Sequence, residues 1–290
     1  MKTVPFLLVM ISVVTHAYWN FLAKRAENKD LFMGLSKIAE AVIFGVPFLA
    51  VLACKGFDTG SWYFVIIASL FVFLNYFFLT SAYKHIDLSV AYPISRSSTL
   101  FLPFIAFYFI GETIDPVGIT SLVFVTLGVF VIHFDTIKDE GITGFFKLFR
   151  NPGIIFALLA AFTVASYTVW DKVAISHIYP FLYFYAYTFL VAVFYAILTY
   201  MKFSRNDVRE EWQNNWLSIV QVAFFNTFTY VLILIALGIS KATYVGTLRQ
   251  LSLVIGVFLG WKFLNESISF FRVTGVILLV VGGGLTLFAG

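Results

Sequence analysis

Long apolar stretches separated by short polar ones dominate the pattern of this chain. Ten segments of about 20 mostly apolar residues follow one another, the length that an α-helix needs to cross a bilayer. They span Val4 to Ala23, Leu31 to Ala53, Trp62 to Ala82, Leu88 to Ile110, Pro116 to Phe134, Gly153 to Val173, Phe181 to Met201, Trp216 to Leu237, Ala242 to Leu264 and Phe270 to Ala289. The polar stretches are too short for a soluble domain, so the pattern predicts an all-α integral membrane protein with ten transmembrane helices.

The apolar segments repeat at a nearly fixed offset. Placing Ala82 on Ala236, 154 residues later, aligns the fourth and fifth segments with the ninth and tenth without a gap. The first and sixth segments align more weakly at an offset of 148 residues, with AYWNFLAK over ASYTVWDK. An odd number of helices per half makes the second half enter the membrane from the opposite side. The sequence therefore predicts two five-helix inverted repeats, at residues 1–137 and 153–290.

The stretch between the repeats, residues 138–152, mixes apolar and basic side chains. This composition favours a short helix lying in the membrane interface, and a plain exposed linker is the alternative. The residues concerned are Phe145, Phe146, Lys147, Leu148, Phe149 and Arg150.

Composition supports the membrane assignment. Hydrophobic residues make up 61% of the chain and charged residues 12%, and the mean hydropathy is +0.93, whereas soluble domains are about 25% charged. The lipid bilayer itself is the partner that these values predict. The net charge of +4 is explained by anionic lipid headgroups and gives no argument for a nucleic-acid partner. The single cysteine, Cys54, excludes an intrachain disulfide.

Two arginines lie deep inside apolar segments. Arg96 and Arg249 are each about eight residues into the fourth and ninth segments, or roughly 12 Å into a hydrocarbon layer of about 30 Å. Inserting an arginine there costs at least about 2.5 kcal/mol, so such residues normally face a bundle interior or a watery cavity. We predict that both bind an acidic group of a substrate. The alternatives are a structural ion pair for Arg96, and packing or snorkelling towards the interface for Arg249.

Neighbours of the arginines complete this predicted site. Arg96 aligns with Gln250 rather than with Arg249, so the two guanidinium groups are expected to share a cavity without forming a symmetric pair. We predict Gln250 and Tyr92 as further substrate contacts. Pro93 cannot donate a hydrogen bond within the helix and is the predicted hinge.

Two further titratable residues are candidates for proton coupling. Glu40 is the only carboxylate that the pattern places well inside a span, with Lys37 one turn before it. A desolvated glutamate can load and release a proton, although neutralisation by Lys37 or by an arginine is the simpler interpretation. His16 ionises near neutral pH and is predicted to line the cavity or relay a proton, the alternative being a hydrogen-bonded packing histidine. Trp19 and Asn20, beside it, are predicted substrate contacts.

An aromatic stripe follows the seventh segment. Tyr179, Tyr183 and Tyr187 recur every four residues, and we predict Tyr183 and Tyr187 as part of an aromatic wall for the substrate. Ordinary packing or an interfacial belt is the alternative in a chain that is 20% aromatic.

The chain resembles the ten-helix drug/metabolite transporters of the EamA type. The resemblance covers nearly the whole length and rests on the five-plus-five segments and on four short motifs. These are HAYWNFLAK in the first segment, SAYKHIDLSVAYPISRSS at the fourth, and the GETI and NESI turns after the fourth and ninth. It implies a secondary carrier of small metabolites with a central cavity formed by both halves.

The sequence thus predicts a secondary active transporter of a small anionic or zwitterionic metabolite, such as an amino acid or an aminophosphonate. Arginines offer a bidentate fork to acidic oxygens, and the aromatic side chains suit a cationic remainder. A flippase for lipid or lipid-linked amphiphiles is the alternative. No metal-ligand spacing, phosphate loop or activated nucleophile is found, so we expect no enzyme, cofactor or metal site.

Localisation and assembly follow less directly. We expect a multi-pass protein of the plasma (inner) membrane. Outside the spans, twelve lysines and arginines fall in the odd-numbered loops and four on the other side, which favours termini outside, whereas the family resemblance favours termini inside. A monomer and a homodimer both remain open, and so does the identity of a proton or other coupling ion.

Overall fold

The computed structural model describes residues 1–86, 91, 94–132, 151–264 and 267–290. Within these ranges the chain forms helices and no strand. The α-helices are α1 (Thr3–Arg25), α2 (Lys29–Lys55), α3 (Trp62–Tyr83), α4 (Ser98–Ile110), α5 (Pro116–Ile132), α6 (Pro152–Ala174), α7 (Pro180–Lys202), α8 (Arg205–Ile239), α9 (Ala242–Arg249), α10 (Ser252–Leu264) and α11 (Phe270–Leu285), with a 3₁₀ turn at Thr59–Ser61.

Most of these helices are long enough to cross a bilayer. Seven helical stretches in the described residues have the length and hydropathy of a transmembrane span, and α4, α5 and α11 are shorter apolar helices. The protein is therefore a multi-pass membrane protein.

One helix is much longer than the apolar pattern predicts. The eighth segment was expected to begin at Trp216, but α8 begins at Arg205. Its start is fixed by a capping box, in which the Ser204 hydroxyl accepts a hydrogen bond from the Asp207 amide and the Asp207 carboxylate accepts one from the Ser204 amide. The added turns are polar, and hydropathy alone does not detect them.

The helices of the two halves pack in matching pairs. Helix α3 packs on α6 as α8 packs on α1, and α4 packs on α6 as α10 packs on α1. At the centre, α2 packs on α7 and α5 on α11. The largest cluster of buried apolar side chains draws on both halves, from Val9 and Val65 to Leu182 and Leu279. The halves thus share one core.

The α5–α11 contact depends on small residues. A Cβ added to Gly275 would lie 2.6 Å from the Ile132 amide nitrogen and 2.9 Å from the Gly128 carbonyl oxygen. Two turns away, the Ser121 hydroxyl donates a 2.6 Å hydrogen bond to the Gly282 carbonyl. Glycines at these positions let the two backbones approach closely, which is how helices associate without a hydrophobic driving force in lipid.

Replacing Gly275 with alanine is expected to destabilise the protein by about 1–3 kcal/mol, because the contacted atoms are backbone and cannot move aside. Thermal unfolding of the detergent-purified protein measures the effect. The control is Gly256→Ala in α10, where an added Cβ meets nothing within 4 Å and alanine favours the helix. Equal shifts in the two variants would show that the α5–α11 contact is not close.

Candidate functional site

The fourth and ninth predicted spans are interrupted at equivalent positions. Helix α9 ends at Arg249, residues 250–251 form a turn, and α10 begins directly afterwards. In the first half, residues 96–97 form a turn immediately before α4. The two turns are 154 residues apart, the same offset as the sequence repeat. The predicted ninth segment is one candidate span, Ala242–Phe263, with this turn inside it.

A backbone hydrogen bond between residues three apart lies at each interruption. The Gln250 amide donates to the Thr247 carbonyl at 3.2 Å, and the Ser97 amide donates to the Ile94 carbonyl at 3.1 Å. These are i to i−3 bonds, so the chain passes through 3₁₀ geometry between two α-helical pieces. No proline lies in the second interruption. Such turns inside membrane-spanning segments are characteristic of transporter binding sites.

Helix α9 is held in place by the other half of the chain. Glu112 accepts hydrogen bonds from the amides of Ala242 (2.7 Å) and Thr243 (3.2 Å) at the start of α9. Lys172 lies 3.2 Å from the same carboxylate and donates to the Ser240 carbonyl. A carboxylate at a helix N-terminus satisfies free amides and complements the helix dipole. Glu112 thereby fixes the short helix that ends at Arg249.

The charges of the two arginines at the interruptions reach one histidine. The charges of Arg96 and Arg249 both act on His16 in α1. The Arg249 guanidinium lies over the Tyr230 ring, 5.4 Å from its centroid. His16 in turn meets Trp19 edge to face at 5.0 Å. Residues predicted from three distant parts of the sequence therefore surround one point between the halves.

Three polar atoms at this point are buried and have no hydrogen-bond partner in the described part of the chain. They are Nδ1 of His16, Nε1 of Trp19 and Oε1 of Gln250. Buried polar groups are nearly always hydrogen-bonded, so such atoms indicate a place where a ligand or water binds. Asn20 differs, because its amide donates to the His16 carbonyl at 2.7 Å in the same helix.

A cavity of about 90 Å³ opens between the halves next to this cluster. Repeat-related residues face each other in its wall: Trp19 and Tyr167 are 148 residues apart, and Tyr76 and Tyr230 are 154 apart. The full lining is Trp19, Met33, Lys37, Ala68, Val72, Asn75, Tyr76, Tyr167, Asp171, Phe184, Tyr187, Thr188, Val191, Asn226 and Tyr230.

The predicted site residues divide between this wall and the layer behind it. Trp19 and Tyr187 line the cavity. Arg249 contacts the lining residue Tyr230 and interacts with the lining residue Tyr167. The cavity wall is therefore rich in aromatic side chains, and Arg249 lies behind it.

The chain can now be compared with known proteins. A family model for the EamA-like transporter family matches residues 3–134 and 151–288. The chain belongs to this family. No curated protein matches this EamA-like chain. Among solved structures 29 chains match, one of them a crystal structure with 14% sequence identity and a TM-score of 0.74, covering 99% of this chain and 98% of that chain.

At that identity the structural likeness shows the fold alone, and the family match carries the function. EamA-like proteins are membrane transporters rather than enzymes. The resemblance found in the sequence is thus confirmed, and the cavity between the halves of this EamA-like transporter is its candidate substrate site.

Glu40 and Lys37 form a closed network beside the cavity. Glu40 is 1% exposed. It lies 2.8 Å from the Lys37 ammonium and accepts hydrogen bonds from Asn226 (2.9 Å) and Thr227 (2.6 Å) of α8. Neutralisation by Lys37, one of the two interpretations of Glu40, is the one that this geometry supports. Proton coupling by Glu40 stays a prediction.

The aromatic stripe of α7 divides along its length. Tyr187 lines the cavity, and Tyr183 packs behind it with ring centroids 5.2 Å apart. Tyr179 is half-exposed at the start of α7, near Lys55. Tyr92, Pro93 and residues 138–150 of the linker lie outside the described residues, so their predicted roles stay predictions.

Asp171 is a charged cavity residue that the sequence pattern did not identify. It lies near the end of α6, is 5% exposed and faces the cavity, so Glu40 is not the only carboxylate inside a span. Its neighbour Lys172 made it look like part of a charged helix end. A signal was available, because Asp171 follows Tyr167 by four residues and therefore shares a helix face with it.

Replacing Lys37 with methionine is expected to destabilise the protein by about 3–5 kcal/mol, because Glu40 is left buried without its counter-cation. The double variant Lys37→Met/Glu40→Gln should recover much of that loss. Thermal unfolding of the four proteins in a double-mutant cycle measures the coupling. Lys29→Met, an exposed lysine of the same helix, is the control. Additive effects of the two substitutions would contradict a direct ion pair.

Proposed function

We propose that this EamA-like protein is a secondary active transporter of small anionic or zwitterionic metabolites, with an amino acid or an aminophosphonate as the model substrate. The acidic group binds at Arg96 and Arg249, and the remainder occupies the aromatic cavity. Guanidinium groups bind carboxylate and phosphonate oxygens through parallel hydrogen bonds, which are strong where water is excluded.

One observation carries this proposal. The turns of the two halves carry Arg96 and Arg249, whose charges both act on His16, and Nδ1 of His16 and Nε1 of Trp19 are buried without a hydrogen-bond partner in the described residues. A cation inside a membrane span is favourable only where an anion or a watery cavity stabilises it. A substrate carboxylate or phosphonate would supply that charge.

The paired helix contacts support two inverted repeats that alternate access to the site. The matching contacts α2–α8 and α3–α7 differ in closeness. On one side Asn226 and Thr227 tie α8 to Glu40 of α2. On the other side a groove separates α3 from α7. When the two halves of a transporter rock against each other, each state is expected to have one of two equivalent helix contacts closed and the other loose.

The cavity is suited to a small substrate. Its volume of about 90 Å³ is well below the roughly 300–1,000 Å³ of pockets for drug-sized ligands. Either a molecule of few heavy atoms binds, or the site widens as the halves move. Coupling to a proton through His16 or Glu40 is part of the proposal.

A thermal-shift screen of the purified protein tests the anion site. Amino acids, phosphonates, organic cations and lipid headgroup analogues are added to the wild type, Arg96→Ala, Arg249→Ala and, as the control, the exposed Arg209→Ala. A ligand at about 100 times its Kd adds roughly 2.7 kcal/mol of stability. We expect an anionic or zwitterionic compound to stabilise wild type and Arg209→Ala only. Stabilisation that survives in both Arg96→Ala and Arg249→Ala would make these arginines structural.

A flippase remains the second candidate because of the groove between α3 and α7. The groove measures about 240 Å³ and shares Val72, Tyr76 and Val191 with the central cavity. Leu70 and Phe73 in its wall are exposed on the protein surface. A flippase needs such a sideways opening towards lipid.

Lipid movement in proteoliposomes separates the two candidates. A fluorescent phospholipid is placed in both leaflets, and a membrane-impermeant reductant quenches the outer one. For a metabolite carrier we expect the protected fraction to match that of protein-free vesicles. Loss of protection in the wild type, restored by filling the groove with Leu190→Trp, would favour the flippase.

A further inference from the structure

Asp171 is the cavity residue whose charge the protein leaves least compensated. It lies in α6 with its side chain 95% buried and facing the cavity. The adjacent Lys172 does not neutralise it, because its ammonium binds Glu112 and the Leu237 and Ser240 carbonyls. A buried carboxylate without a cation is costly.

The hydrogen bonds of Asp171 are also few. Tyr183 donates one to Oδ1 at 2.7 Å, and in the described ranges this is the one hydrogen bond to the carboxylate. Arg249 acts on Asp171 through its charge, but no ion pair within 4.0 Å joins them in those ranges. Glu40, by contrast, has three donors including Lys37. Asp171 therefore retains accepting capacity towards the cavity.

Aromatic rings surround the same part of the cavity. Tyr167 lies one turn before Asp171, and Tyr187 and Tyr230 contribute rings from α7 and α8. Phe184 stacks on Tyr230 with centroids 5.6 Å apart. Faces of aromatic rings attract cations, and quaternary and primary ammonium groups bind in such surroundings.

We propose that Asp171 and the rings of Tyr167 and Tyr187 form a subsite for the ammonium group of the substrate. This inference rests on the proposed function and narrows it: the substrate is a zwitterion, with its amine at Asp171 and its acidic group towards Arg249. In the described residues the Asp171 carboxylate and the Arg249 guanidinium interact through their charges without an ion pair within 4.0 Å, so each can take an opposite charge of one ligand.

Paired ligands test the subsite without any variant. Wild-type protein in detergent is titrated by calorimetry with 2-aminoethylphosphonate, 2-hydroxyethylphosphonate and ethylphosphonate, and with β-alanine against propionate. An ammonium–carboxylate contact should make each amine bind about tenfold or more tightly than its amine-free partner. Equal affinities within the pairs would overturn the inference.

Asp171→Asn identifies the residue responsible. The amide keeps the shape and removes the charge, so we expect the amine preference to fall to about onefold while ethylphosphonate binding stays within about twofold of wild type. Asp30→Asn, at an exposed position in α2, is the control and should behave as wild type. A preserved preference, or an equal loss for all ligands, would overturn the inference. If Asp171→Asn removed only the pH dependence of binding, Asp171 would be a proton-binding residue, and this result too would overturn the inference.

The failure of this inference can be told apart from failure of the proposed function. If ethylphosphonate binds Arg249→Ala and Arg96→Ala as tightly as wild type, the anion site is wrong. If, in that case, ethanolamine binds to the wild type but not to Asp171→Asn, the ammonium subsite stands although the anion site is wrong.

Discussion

The cost of burying charge in hydrocarbon governs how this structure is arranged. Each charged group inside the bundle must find a partner or face a cavity. Lys37 and Glu40 compensate each other, as do Lys172 and Glu112. Arg249 and Asp171 are placed on either side of a cavity wall without contacting each other. In the proposed function, a zwitterionic substrate supplies an opposite charge to each of them.

The compensated pairs also decide which parts are rigid. Glu112 and Lys172 bind the start of α9 and tie the first half of the chain to the second. Glu40 ties α2 to α8. The contact that matches α2–α8, between α3 and α7, has a groove instead. In the proposed mechanism, charge compensation links the candidate site to the contacts that open and close during transport.

Much of this could be predicted from the sequence, because the bilayer imposes simple rules. Segment lengths and the 154-residue repeat follow from hydrophobic pattern alone, and deep arginines mark a functional centre for energetic reasons. Three features were not predicted. The interruption at Gln250 has no proline or glycine to reveal it, the polar start of α8 lies outside the apolar pattern, and Asp171 resembles half of a charged pair with Lys172. The turn and the start of α8 depend on short-range backbone and capping hydrogen bonds, which the apolar pattern does not reveal.

The central claim is that the arginine cluster between the halves is a transport site for zwitterions. Counterflow in proteoliposomes tests it most directly: vesicles are loaded with unlabelled 2-aminoethylphosphonate or alanine, and labelled compound is added outside. The account predicts transient accumulation of label with wild-type protein and none with Arg249→Ala. Accumulation that is the same in both proteins, or none in wild type with either compound, would contradict it.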